Sequence, residues 1–277
     1  MLFRSLRALP RIDYRRLAQP IAAQLPFWLS LDASVGLISR AEPSANPASR
    51  LKSSLFERLE LFPRVSLPVR FGGSSVNAEL GFRVTHYGNK REQQSLDSGT
   101  LTRGVTNFNL EWRPPALSRL FPGAGWLSRS SVRHVIEPAI RFNLTSGAGD
   151  FREILVFDEQ DLVSNTRELE YSLTNRILAG RADGPEGVDE LLSFEVKQQY
   201  YFRSDFGGAL VTGRRNVFLS PLSLTGSAFL DRPRRFSPVV SYLRLRPAQH
   251  LEVELREDYD PELQRFSHGG LVGSLRY

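Results

Sequence analysis

Apolar and polar residues alternate along most of the chain. The stretch FWLSLDASVGL sets Phe27, Leu29, Leu31, Ala33, Val35 and Leu37 against Ser30, Asp32 and Ser34. LELFPRVSLPVRF sets Leu59, Leu61, Val65, Leu67, Val69 and Phe71 against Glu60, Arg64 and Arg70. VNAELGFRV and VTNFNLEWR follow the same rule, with Glu79, Arg83, Glu111 and Arg113 on the polar side. In the second half the pattern returns in RELEYSLTNRIL, LLSFEVKQQYYF, LEVELREDYD and FSHGGLVGSLRY. Successive side chains of a strand point to opposite faces, so this period predicts strands with one apolar and one polar face. A sustained helical period is absent, and the predicted class is all-β.

Strand length separates two architectures. Counting gives about ten strong strands and two weaker ones, many near ten residues, where strands of globular proteins average about 5–6. A soluble sandwich uses shorter strands and turns their apolar side to a packed core. A membrane barrel needs roughly 9–11 residues per strand, apolar outward and polar inward. Length therefore favours an antiparallel transmembrane β-barrel segment. Residues 1–26 read as a lead-in segment or partial strand, and 27–277 as the barrel domain. On this reading Glu168, Glu170, Arg176, Glu195 and Lys197 are the lumen-facing candidates.

The connections fit a barrel with one exception. GGSS (72–75) and PAQH (247–250) are tight turns, whereas 87–103, 145–165 and 203–236 are long. Barrels keep short turns on the periplasmic side and long loops outside. The segment PPALSRLFPGAGWLSRSS (114–131) is long yet falls on the short-turn side, which suggests a periplasmic flap. Aromatic residues near strand ends (Trp28, Tyr87, Trp112, Trp126, Tyr200, Tyr201, Phe202 and Tyr259) suit an interface girdle or ordinary strand enrichment equally. Glu137-Pro138 stands in the middle of the alternating stretch RHVIEPAIRFNLTSG, where proline cannot donate to a ladder, so a lost bond or a bulge is expected.

Composition narrows the chemistry. No run approaches the roughly 18 apolar residues of a transmembrane helix, and that leaves strands untouched as membrane-crossing elements. There are no cysteines, which removes disulfides, thiolate metal sites and cysteine nucleophiles. The net charge of +6 suits an anionic ligand or membrane surface, or simply solvated arginine. The four histidines show no metal-binding spacing, and no nucleophile elbow or phosphate loop occurs. No catalytic residue, metal or cofactor is expected. FDEQDL (157–162) reads as a solvated acidic loop, with calcium as the minor alternative. RPRR (232–235) divides evenly between a phosphate contact and a solvated loop.

Two regions go beyond a generic barrel pattern. HVIEPAIRFNLTSGAGDFREILVFDEQDLVSNTRELEYSLTNRIL (134–178), followed by LLSFEVKQQYYF, resembles the central barrel of the LPS-assembly protein family (LptD/OstA). FSPVVSYLRLRPAQHLEVELREDYDPELQRFSHGGLVGSLRY resembles that family's later meander. The positions that carry the first likeness are His134, Glu137, Pro138, Asp158, Glu159, Asp161, Asn175 and Arg176.

The resemblance implies that 27–277 is a partial outer-membrane barrel domain, a fragment of a very large barrel near the 26-stranded size, of which this chain supplies about 10–12 strands. It implies a cell outer membrane location of the Gram-negative type. The implied function is insertion of lipopolysaccharide into the outer leaflet, with no chemical step. Implied partners are lipopolysaccharide, outer-membrane lipid and an LptE-like plug lipoprotein. An LptA-like periplasmic bridge is also implied, through a domain outside the matching region, and no nucleic acid is. The family's lateral opening lies between first and last strands, which places Pro138 away from it. The alternatives are a general porin or transporter barrel and a soluble β-rich binding protein.

Overall fold

The computed structural model describes residues 5–41, 53–90, 99–122, 129–149, 154, 159–181, 188–213, 216–217, 229–230, 232–248 and 250–276. Fourteen strands follow one another within them: β1 (Ser5–Pro20), β2 (Trp28–Ala41), β3 (Phe56–Phe71), β4 (Ser74–Tyr87), β5 (Leu101–Arg113), β6 (Leu117–Pro122), β7 (Arg129–Ser146), β8 (Thr166–Arg181), β9 (Val188–Tyr201), β10 (Asn216–Val217), β11 (Phe229–Leu230), β12 (Val239–Ala248), β13 (Leu251–Asp260) and β14 (Arg265–Leu275). Twelve form a single antiparallel sheet in the order β1-β2-β3-β4-β5-β7-β8-β9-β12-β13-β14, with β6 beside β7. The short β10 and β11 pair only with each other. The sheet is open, since β1 and β14 do not pair. No described helix is long and apolar enough to cross a membrane.

Residues 5–20, inside the stretch read as a lead-in or partial strand, form a strand paired to β2 from Ser5↔Ala41 to Pro20↔Trp28. The long connections 42–55, 88–100, 147–165 and 202–238 all leave one end of the sheet. The connections 21–27, 72–73, 123–128, 182–187 and 249–250 leave the other. The tightest, Gly72-Gly73, has φ of +52° and +78°, the left-handed pair that a two-residue hairpin requires and glycine adopts at no steric cost.

The expected flap is corrected. After Arg113, Pro114-Pro115 offer no N–H and the ladder stops, but the chain resumes in the same direction as β6. Both β5 and β6 lie antiparallel to β7, β5 against Ile140–Ser146 and β6 against 131–136. The 18-residue β7 thus spans two collinear partners.

Burial is inverted relative to a soluble domain. Leu59, Leu61, Leu80, Phe82, Leu110, Trp112, Ile140, Leu173 and Leu271 are exposed on the apolar face. The buried hydrophobic clusters are small and sit on the other face, at the long-loop end: Ile38 with Phe56 and Tyr87, Val105 with Ala148 and Val163, and Tyr201 with Phe206 and Ala209. An apolar sheet face this large, left uncovered, is costly in water and stable against hydrocarbon. Tyr87 and Tyr201 therefore fall outside any lipid-facing girdle, because their parity places them with Arg83, Lys197 and Gln199. Tyr200, Phe202 and Phe236 do pack together, with ring centroids 5.1 Å apart, as do Tyr259 and Phe266 at 5.4 Å. Trp126 lies outside the described residues.

Candidate functional site

The polar face is a lattice of alternating charge. Cross-strand neighbours on one face stand close enough to pair, and the register brings opposite signs together. Arg141 of β7 bridges Glu111 of β5 and Glu170 of β8, each at 2.8 Å. Arg113 also meets Glu111. Gln199 of β9 donates to the second Glu170 oxygen at 3.0 Å. Farther along, Arg244 meets Glu254 at 2.9 Å, Arg246 meets Glu252 at 2.6 Å, and Arg64 meets Asp32 at 2.6 Å.

The five lumen candidates share this face. Thr174 opposes Glu195, Ser172 opposes Lys197, and Glu170 opposes Gln199 in the β8–β9 register. Glu170, Arg176, Glu195 and Lys197 line one depression of about 380 Å³ together with Glu137 and Pro138. Glu168 lies elsewhere, buried, in a second depression of about 410 Å³ that reaches under the β7–β8 connection. Lys197 stands 3.8 Å from Glu195, and Arg176 stands 2.9 Å from Glu137 and 3.2 Å from Glu190.

The motif positions meet across strands, in pairs that the linear sequence does not display. Glu137 and Arg176 join on the polar side of β7 and β8. His134 and Asn175 join on the apolar side, Nε2 to Oδ1 at 3.3 Å. Pro138 opposes Leu173, and the β7–β8 register runs through it from Val132 to Thr145 without a shift. On the other side, β7 changes partner from β6 to β5 between Ile136 and Ile140. The missing N–H of Pro138 is thus accommodated at the gap between two partners, so of the two expected outcomes the absent bond occurs and the bulge does not.

Asp161 departs furthest from its expectation. It sits in a 3-10 turn (Glu159–Leu162) and is fully buried instead of solvated. Tyr87 Oη donates to it at 2.6 Å, and Arg58 Nη1 donates at 3.1 and 3.3 Å. The β7–β8 connection therefore folds back over the polar face to β4 and β3. Arg103 of β5 holds it midway, donating to the carbonyls of Ala148 at 3.2 Å and Val163 at 2.9 Å. Asn165 closes the base by accepting from the Ala148 N–H at 2.9 Å. Gly147, at φ +88°, lies so close to the Gly104 carbonyl that a Cβ would collide with it. Asp158 lies outside the described residues, as does the side chain of Glu159.

The 202–238 connection also packs down. Arg234 of the RPRR run is buried against Asp260 at 2.7 Å, and Arg235 donates to Tyr200 Oη at 3.1 Å. Those two arginines hold the loop to the sheet. Among the described residues no group of three His, Asp or Glu is arranged to hold a metal ion.

An open antiparallel wall, apolar on its exposed face and charged on the face that its loops cover, defines the transmembrane β-barrel class. Within that class the chain belongs to the LptD family, LPS transport system D, whose family model matches residues 4–276. Its function lies in lipopolysaccharide transport, and its place is among outer-membrane proteins. No curated protein gives a significant match to the chain.

Proposed function

We propose that this chain forms part of the wall of the outer-membrane translocon that inserts lipopolysaccharide into the outer leaflet. The observation that carries the reading is the inverted burial of the sheet in a chain of this family. The apolar face anchors the wall in lipid. The polar face, with Glu170, Arg176, Glu195 and Lys197, borders a hydrated path for the sugar headgroup, and Glu168 lies beneath the folded loop. Guidance along that path is passive and involves no bond-making step. Arg141, Arg176 and Lys197 each already have a carboxylate partner. A passing phosphate must compete with those carboxylates and water, so it is held weakly and released, as transit requires. An LptE-like lipoprotein would plug the lumen, and an LptA-like bridge would supply the substrate.

Reconstitution into vesicles with the plug lipoprotein tests the reading. Lipopolysaccharide should reach the far leaflet while steady ion conductance stays small. Large conductance without delivery would favour a general porin, and a chain that stays in solution without detergent would favour a soluble binding protein.

A further inference from the structure

The β6–β7 hairpin carries a feature that lumen transport does not use. The turn between β3 and β4 ends beside Pro115, where a Cβ on Gly73 would lie 3.5 Å from the proline ring. Beyond that level β6 continues alone, paired to β7 on one edge only. Leu117, Leu120 and Phe121 are 66%, 61% and 40% exposed. From residue 112 to 136 the sequence holds Arg113, Arg119, Arg129, Arg133 and His134, and no Asp or Glu.

The register arranges the apolar side of the hairpin in steps. Leu117 opposes Ile136, Arg119 opposes His134, and Phe121 opposes Val132. The Arg119 guanidinium lies 5.2 Å over the Phe121 ring. His134 is oriented by Asn175. Among the described residues no carboxylate pairs with Arg119 or Arg133. Among the same residues Arg70 and Arg167 likewise have no carboxylate partner, so what sets Arg119 apart is its place over the Phe121 ring on the apolar side of the hairpin. The same face, followed along β7 and β8, becomes the exposed apolar surface of Ile140 and Leu173. Apolar side chains that give way to an arginine stacked on an aromatic ring match the boundary between acyl chains and phosphates.

We propose that this hairpin is a binding surface for anionic phospholipid headgroups in the leaflet on the short-turn side, with Arg119 and His134 at the phosphate. The proposal rests on the membrane placement given above. Charge complementarity favours lipid as the occupant, since basic residues near a bilayer surface draw anionic lipid. A partner strand is disfavoured by the edge itself, which is six residues long, follows Pro114-Pro115 and ends at Pro122.

The test folds the full chain into phosphatidylcholine vesicles containing equal phosphatidylglycerol and phosphatidylethanolamine. Lipids retained after detergent extraction are then counted by native mass spectrometry. The native protein should retain phosphatidylglycerol in preference. Arg119→Gln should lower that preference about fivefold, the effect of one interfacial charge. Arg119→Lys should hold it, with β-content by circular dichroism equal in all three. A chain that never enters vesicles overturns membrane placement and this proposal with it. A chain that enters, but whose Arg119→Gln form retains phosphatidylglycerol as the native protein does, overturns the headgroup surface alone and leaves the β6 edge to a protein strand.

Discussion

Asp161 follows Arg58 by 103 positions in the chain, yet its carboxylate lies 3.1 Å from the Arg58 guanidinium with both side chains buried. That pair, with the Tyr87 hydroxyl, fastens the β7–β8 connection across three strands of the polar face. Removing one member of a buried ion pair is far costlier than replacing both, because the remaining charge keeps its desolvation penalty. Asp161→Ala should therefore lower stability by about 3–5 kcal/mol, measured by denaturant unfolding in detergent micelles. Limited proteolysis should show cleavage appearing within 147–165. Asp161→Asn, which still accepts from Tyr87, should cost less.

Leu173 and Thr174 are adjacent in β8 and face opposite ways. Leu173→Lys places a charge on the apolar face near the middle of a strand, and should cost about 2–4 kcal/mol if that face meets hydrocarbon. Thr174→Lys lands among Glu137 and Glu195 and should cost under about 1 kcal/mol. Equal costs in vesicle unfolding experiments would contradict the assignment of faces.

Pro138 should be replaceable without loss. Its absent N–H falls where β7 passes from β6 to β5, so Pro138→Val should change stability by less than about 1 kcal/mol. Ala139→Pro has its nitrogen toward β8, by the alternation of an antiparallel ladder. It removes a ladder bond to β8 and should destabilise measurably more. An unchanged transport rate in Pro138→Val would exclude a dynamic role for this proline.

Arg141 is the cation between two carboxylates. Arg141→Gln brings Glu111 and Glu170 together without it, so the loss should shrink when Glu111→Gln is added. A double-mutant cycle on unfolding free energies should give coupling of about 0.5–3 kcal/mol, as for contacting residues. Raised salt should reduce it, since both partners are partly solvated.

Much of this was legible in the alternation. The period fixed the two faces, the class and most strand positions, because an outward residue and its neighbour have opposite solvents. Even Tyr87 and Tyr201 could have been assigned to the polar face by parity, since they stand in step with Arg83 and Lys197. β1 was obscured because Arg11, Arg15 and Arg16 occupy both faces of LRALPRIDYRRLAQP. β6 was obscured by Pro114-Pro115, which read locally as a loop although the strand resumes beyond them. The Asp161 latch left no local signal, as its partners belong to β3 and β4, and a loop's own sequence says nothing about distant strands. The couples His134–Asn175 and Glu137–Arg176 needed the β7–β8 register, which the sequence alone does not supply.

The most direct measurement places a photo-crosslinking residue at Thr174 and, separately, at Leu173, in the chain assembled with its transport partners. Lipopolysaccharide should be captured at Thr174 only while transport runs, and membrane lipid at Leu173 whether or not it runs. Lipopolysaccharide capture at Thr174 that is absent, or that persists unchanged when transport is stopped, would contradict a polar face that lines the transport path.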